Sequence, residues 1–291
     1  MKKCKQDKIM LAAIGVLAVV QILLFIIPVL WVIEQSFNNY HAYIIDPFSF
    51  PKKFRFENYS AALKNMKIDV YKNGRLVRYN IVSMTGYSLL IALFRPFLTT
   101  AVSVMLSYVV EKYSNWRICR IIYALNLITI ILPIYGGLPS GLRLHKALGT
   151  YDSLTYLLVG YTGMGMGIIL YGNAFGAMPT AYKEAATIDG AGHFMIMFKI
   201  YFPLIFPLAA ANYIMNFMGF WNDYSLNVVW LPSYPNLAYG VFIYQSNASI
   251  MGASVPELLA GMVALAIPST ILWACSQKLV SSKLAMGGLK G

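Results

Sequence analysis

Glu184 and Asp189 are the acids of a short polar island, Glu184-Ala185-Ala186-Thr187-Ile188-Asp189-Gly190-Ala191-Gly192, set between long apolar runs. Side chains of these types at this spacing suit recognition better than bond-making. Small alanines let a helix enter a groove closely, and a carboxylate beside them can pair with a partner's arginine. The residues that catalysis would need do not converge. His41, His145 and His193 are scattered, with no H-E-x-x-H and no paired metal spacing. No nucleophile-plus-base constellation is visible. A phosphate loop would read G-x-G-x-x-G after a strand or G-x-x-x-x-G-K-[S/T], and neither occurs. The chain is therefore not expected to hydrolyse ATP itself.

The elements that must hold the island are membrane spans. The 291 residues are 58% hydrophobic and 12% charged, and mean hydropathy is +0.61. The charged share is about half that of a soluble domain. A water-soluble fold of this length could not hide so much apolar surface. The net charge of +12 comes from Lys and Arg in loops and tails. No aromatic-rich basic module or C-x-x-C finger accompanies it, so no nucleic-acid partner is expected. Three cysteines, Cys4, Cys119 and Cys275, give no disulfide framework.

Hydropathy predicts six spans, at about 9–33, 83–110, 118–138, 154–175, 200–221 and 258–279. Lys2, Lys3, Lys5 and Lys8 before the first run imitate a signal peptide. Ile9–Ile33 would be about 37 Å long as a helix, beyond a signal h-region, and is read as an uncleaved span. Pro28, Pro133, Pro207 and Pro268 fall within spans, which membrane helices tolerate. Lysine placement around the first span votes for a cytoplasmic N-terminus, while the second span votes the other way. With the first span and the island deciding, residues 38–80 form an extracytoplasmic loop with a short helix near Glu57–Asn65. The 111–117 hairpin, the island and the C-terminal tail then face the cytoplasm. The pairs Gly163/Gly167 and Gly172/Gly176 are G-x-x-x-G spacings that let helix backbones approach closely.

Locally, the island reads as a helix over Thr180–Asp189. Pro179 precedes it, Thr180 can cap it and Gly190 can end it. Lys183 stands where a capping box would want Glu. Tyr182, Ala185, Ala186 and Ile188 can share one side, flanked by Glu184 and Asp189. So short a helix is unstable alone in water and must pack on something. His193–Tyr201 is a second short amphipathic stretch. The alternative is a surface loop that merely joins two spans.

Glu184-Ala185-Ala186, then Asp189-Gly190-Ala191, then Ile200 and Pro203, resemble the E-A-A…D-G-A…I…P signature of binding-protein-dependent ABC importer permeases. Phe56-Glu57-Asn58-Tyr59 resembles a loop element of the sugar-type members. Trp221-Asn222-Asp223 resembles their W-N-D element. The ending, Gln277-Lys278 through Gly287-Gly288-Leu289-Lys290-Gly291, is similar to the tail of maltose-transporter-like permeases. The resemblance implies an all-α integral membrane fold of six transmembrane helices, the type I importer permease fold, forming one domain over 1–291. It implies a cytoplasmic coupling helix within the loop 176–201. Glu184, Ala185, Ala186, Asp189, Gly190, Ala191, Ile200 and Pro203 would serve coupling to the ATPase.

The same resemblance implies a non-catalytic subunit in a bacterial cytoplasmic membrane, with both termini cytoplasmic. Its partners would be a second related permease chain, two ATPase subunits and an extracytoplasmic solute-binding protein that delivers a sugar. ATP and magnesium would be used by the ATPase, with no cofactor on this chain. Alternatives are a permease for a non-sugar solute, a stand-alone secondary transporter and a polytopic membrane enzyme.

Polar residues in the spans are candidates for the solute pathway. Arg95 lies deep in Ile81–Val110, where an arginine costs roughly 2.5–3.5 kcal/mol. It must face a cavity, pair with an acid or reach an interface. Asn212, Asn216, Gly219 and Asp223 follow i, i+4, i+7, i+11 on one helix face. That face can line the pathway or hold another helix. Trp221 and Tyr224 can stack on a sugar ring or sit in an interfacial belt. Asn126 is open in the same way, and Asn222 falls in the same element.

Overall fold

The computed structural model describes residues 5–72, 74–132, 137–159 and 164–284. Pro133, Gly163, Cys4, Lys2, Lys3 and the tail Gly287–Gly291 lie outside the described residues. The chain is mostly helical and divides into two compact units, Met1–Lys67 with Val241–Ile267 and Ile68–Gly240 with Pro268–Gly291.

The first unit begins with α1, Lys5–Ser36, a 32-residue helix that runs through Pro28. Every residue from Met10 to Leu30 is exposed, as an apolar helix bathed in lipid would be. Two short helices follow, α2 at Tyr40–Ile45 and α3 at Glu57–Asn65. Asn58 of α3 is buried and donates its amide to the carbonyls of Ser36 at 2.8 Å and Asn38 at 3.0 Å. Those carbonyls belong to the end of α1 and the turn after it, where the helix ladder leaves acceptors open. The Tyr59 hydroxyl lies 2.7 Å from Ser36 Oγ, and Phe37 packs on Phe54, Phe56 and Tyr59.

The second unit starts with an antiparallel hairpin, β1 at Ile68–Lys72 and β2 at Arg75–Tyr79, in register from Ile68↔Tyr79 to Lys72↔Arg75. Asp69 and Arg78 pair across it at 2.7 Å. The hairpin leads into α4, Ile81–Lys112, opened by an Asn80–Ser83 capping box and continuous through Pro96. At 1.5 Å per residue α4 is about 48 Å long, well beyond the roughly 30 Å of hydrocarbon.

Helices α5 at Arg117–Ile131, α6 at Gly137–Ala147, α7 at Tyr156–Val159 and α8 at Met166–Gly176 follow. They are shorter than the expected stretches 118–138 and 154–175. Helix α5 stops because Leu132 takes an extended conformation, φ −80° and ψ 111°, as a residue before proline must. The stretch 154–175 holds α7 and α8, with Gly165 at φ 128° before the second.

The island is α9, Ala181–Ile188. After it, α10 at His193–Ile196, a single π turn at Met197–Tyr201 and α11 at Phe202–Asn222 form one unbroken helical run. The second amphipathic stretch is thus the start of the expected fifth span. Helices α12 at Ser225–Val229, α13 at Leu237–Ser246 and α14 at Ala248–Met251 precede α15 at Val255–Leu284.

Among the described residues, four helical runs are long and apolar enough to cross a membrane: Met10–Ser36, Ile81–Lys112, His193–Asn222 and Val255–Gln277. Helix α4 is central to the second unit and packs on both α8 and α11. Gly167 of α8 supplies the close approach that G-x-x-x-G spacing suggested. A Cβ there would lie 2.9 Å from Ser103 Oγ of α4, whereas one at Gly172 would meet nothing within 4 Å.

Candidate functional site

Helix α9 is a two-faced element. Ala186 is its buried residue, 8% exposed, in a cluster with Tyr108 of α4, Tyr171 and Phe175 of α8, and Ile196 and Tyr201. The small side chain lets the short helix lie close to this aromatic floor. Tyr182, Glu184, Ala185 and Asp189 are exposed, and Ile188 is 86% exposed. Sequence periodicity grouped Ala186 with Tyr182, Ala185 and Ile188. The fold separates them, because the 100° step between Ala185 and Ala186 lets only one point into the cluster. The Glu184 carboxylate makes no hydrogen bond or ion pair among the described residues.

The two ends of α9 differ. Thr180 was expected to cap the start, but its backbone is already helical, at φ −64° and ψ −24°, and its side chain makes no capping bond. The far end closes as a Schellman turn. Gly190 N donates to Thr187 O at 3.0 Å, and Ala191 N to Ala186 O at 2.9 Å. Gly190 sits at φ 76°, a conformation that costs other L-residues roughly 1–2 kcal/mol. Ala191 and Ile200 pack against the same cluster. Pro203 follows the π turn and brings no N–H to the ladder, which interrupts regular winding where the turn lies.

The last turn of α4 holds the segment around α9. Lys112 Nζ donates to Phe175 O at 2.7 Å and Met178 O at 3.4 Å, capping the end of α8, and stands 4.9 Å from the Tyr201 ring centroid. The Tyr113 hydroxyl lies 2.7 Å from His193 Nδ1, and Lys183 Nζ stands 4.6 Å from the Tyr113 ring centroid. Sequence reasoning missed both residues, since neither belongs to a motif.

The candidate pathway residues divide into used and open groups. Asn126 is buried; its Oδ1 accepts from Gly165 N at 2.6 Å and its Nδ2 donates to Gly165 O at 3.3 Å. Asn222 donates to Met218 O of its own helix at 2.9 Å. Asp223 accepts from Ser225 N at 2.8 Å and Leu226 N at 3.3 Å, starting α12. Trp221 is buried and stacked on Phe217, with centroids 5.9 Å apart. Asn212 donates to the Tyr171 hydroxyl at 2.7 Å. Asn216 is half-buried, and its side-chain amide makes no hydrogen bond among the described residues. Arg95 is 7% exposed, with Nη1 3.4 Å from Leu157 O and its guanidinium carbon 5.5–5.6 Å from the Phe220 and Tyr156 ring centroids. The flanking aromatics favour a buried cation. These contacts place Arg95 against α7 and α11 rather than at a lipid-facing surface.

A model of the binding-protein-dependent transport system inner membrane component family matches residues 103–285, well over half the chain and all of the α9 segment. The chain belongs to this family. A member of such a family with four long apolar helical runs is membrane-integral. Among its relatives is the galactooligosaccharides transport system permease protein of Bacillus subtilis (strain 168), 28% identical over 273 residues, which are 92% of this chain and 91% of the relative. Another is the diacetylchitobiose uptake system permease protein of Streptomyces coelicolor, 24% identical over 271 residues, 90% of this chain and 83% of the relative. A solved chain from a bacterial ABC transporter involved in the import of the acidic polysaccharide alginate shares the fold. Its TM-score is 0.73 at 19% identity, over 96% of this permease and 99% of that chain.

Within this permease, the Phe56-Glu57-Asn58-Tyr59 and Trp221-Asn222-Asp223 elements have physical uses. The first ties α3 to the end of α1. The second ends α11 and starts α12.

Proposed function

We propose that this chain is the membrane permease subunit of an ATP-driven importer of oligosaccharides, forming half of the translocation pathway. The observation that carries the reading is α9: a helix too short to stand alone, anchored by Ala186 and presenting Glu184 and Ile188 outward. An exposed apolar and acidic helix face beside a membrane domain calls for a partner protein. The family and the relatives' sugar substrates support an ATPase as that partner and an oligosaccharide as the solute.

In this reading the chain has six spans, with α9 and both termini on the cytoplasmic face. It pairs with a second permease chain, two ATPase subunits and a solute-binding protein on the other face. It holds no cofactor, and the partner ATPases use ATP and magnesium. Glu184, Ala185, Ala186, Asp189, Gly190 and Ala191 form the handle that the ATPase grips, with Ile200 and Pro203 joining it to α11. Closure of the ATPases moves α9 and switches the cavity between faces. Asn216 is the foremost pathway residue, because its amide is open to a sugar hydroxyl. Arg95 and Asn212 stand beside it as candidates. Asn126, Trp221, Asn222 and Asp223 shape the helices that line the route.

Glu184→Lys tests the handle. The variant should insert in the membrane as the wild type does yet lose at least about tenfold in ATPase retained on pull-down, one buried ion pair's share of an interface. Retention equal to wild type would remove the coupling role. Asn216→Leu should lower uptake or change sugar preference while the ATPase stays bound. Unaltered uptake kinetics would assign that face to helix packing.

A further inference from the structure

Any push on α9 must reach the membrane helices, and the covalent route runs through the π turn into α11. The structure also holds a second, non-covalent route. Lys112, the last residue of α4, and Tyr113, the residue that ends it, touch the segment at its start, middle and end. Lys112 holds the carbonyls of Phe175 and Met178 ahead of α9. The Tyr113 ring lies beneath Lys183, within α9. The Tyr113 hydroxyl meets His193, beyond the Gly190 turn. Helix α4 then continues unbroken for 32 residues, carrying Arg95 at its middle, so a displacement at one end is transmitted along a stiff element.

We propose that Lys112 and Tyr113 are positioning residues that clasp the α9 segment and carry its displacement into α4. The proposal rests on the reading of the chain as a permease driven by an ATPase. The contacts are directional, whereas the rest of the packing around Ala186 is an apolar cluster that includes the Tyr113 ring. A hydroxyl–imidazole bond and a lysine on two carbonyls fix register as well as distance. Trp116, 5.4 Å from Tyr113 between ring centroids, backs the clasp.

The test is amide hydrogen exchange on the assembled transporter, purified with the ATPase that accompanies it, with and without Mg-ATP. In the wild type, Mg-ATP should alter protection both in α9 and in the last turns of α4. Tyr113→Phe keeps the ring and its contact with Lys183 but removes the bond to His193. It should leave the α9 response in place and reduce the α4 response about three- to tenfold, the range one net hydrogen bond commands. His193→Gln and Lys112→Met should act in the same direction. An α4 response equal to wild type in all three variants overturns the clasp. So does a proportional fall in both responses, which a merely structural role would give. A wild-type chain that retains no ATPase overturns the proposed function itself and is seen before any variant is made.

Discussion

Helices α3 and α9 are nearly the same length, nine and eight residues, and each lies close to a long apolar helix. Both expose charged residues, Glu57 and Lys64 on one and Glu184 on the other, but only α3 also buries a polar side chain. In α3, Asn58 is buried and both its donor hydrogens go to carbonyls of its own chain, while Tyr59 meets Ser36. In α9, the buried residue is an alanine, and Glu184 and Asp189 face outward. A short helix that bonds a buried amide to its own chain is a wedge that fixes a fold. One seated only on an alanine, with its acid outside, is shaped for another molecule.

Substitutions can break or sharpen that contrast. Asn58→Ala should cost the most stability, roughly 2–4 kcal/mol, because the Ser36 and Asn38 carbonyls lose their buried donor. Thermal melting of the solubilised chain would read it. The matching Glu184→Ala should change melting by no more than about 0.5 kcal/mol, as exposed substitutions do, and a larger loss would make α9 a wedge as well. Next comes Ala186→Leu, which overfills the aromatic floor and should cost about 1–3 kcal/mol while lifting α9 from its seat. Proteolysis within 181–201 should then speed up in that variant alone. Gly190→Ala should cost roughly 1–2 kcal/mol, from the left-handed backbone rather than from crowding, since a Cβ there meets nothing within 4 Å.

The smallest effect belongs to the exposed pair on the hairpin. The hydrogen bond from Arg78 holds the Asp69 carboxyl below its ordinary value. A depressed carboxylate contributes above its unfolded pKa, about 3.9, and loses that contribution as pH falls through the lower folded value. Melting of Asp69→Asn should therefore match the wild type throughout pH 5–8, because the pair is solvent-exposed. A difference there would mean that the hairpin is covered.

Much of this was legible in the sequence. The α3 bounds follow from Glu57–Asn65 as read, and the α9 helix and its glycine stop follow from turn chemistry. Other features were present in the sequence but outweighed. Asn73-Gly74 between alternating residues is a strong hairpin signal, yet a search for long apolar runs passes over five-residue strands. Pro133 lies outside the described residues, but the extended backbone of Leu132, where α5 ends, is what a following proline favours and could have been read from the sequence. The Lys112 and Tyr113 contacts were not legible at all. They join residues some 60 to 80 positions apart, and no local pattern encodes such a meeting.

The π turn at Met197–Tyr201 inserts one extra residue into the winding between α10 and α11. Each residue of an α-helix advances the azimuth by 100°. The turn therefore sets the compass bearing of Asn212 and Asn216 relative to everything upstream. Deleting a single residue there would leave every side chain of α11 intact and chemically unchanged, yet swing the amides onto a different neighbour. The direction in which this helix faces is thus indexed by one residue of slack, ten or more positions away from the groups it aims.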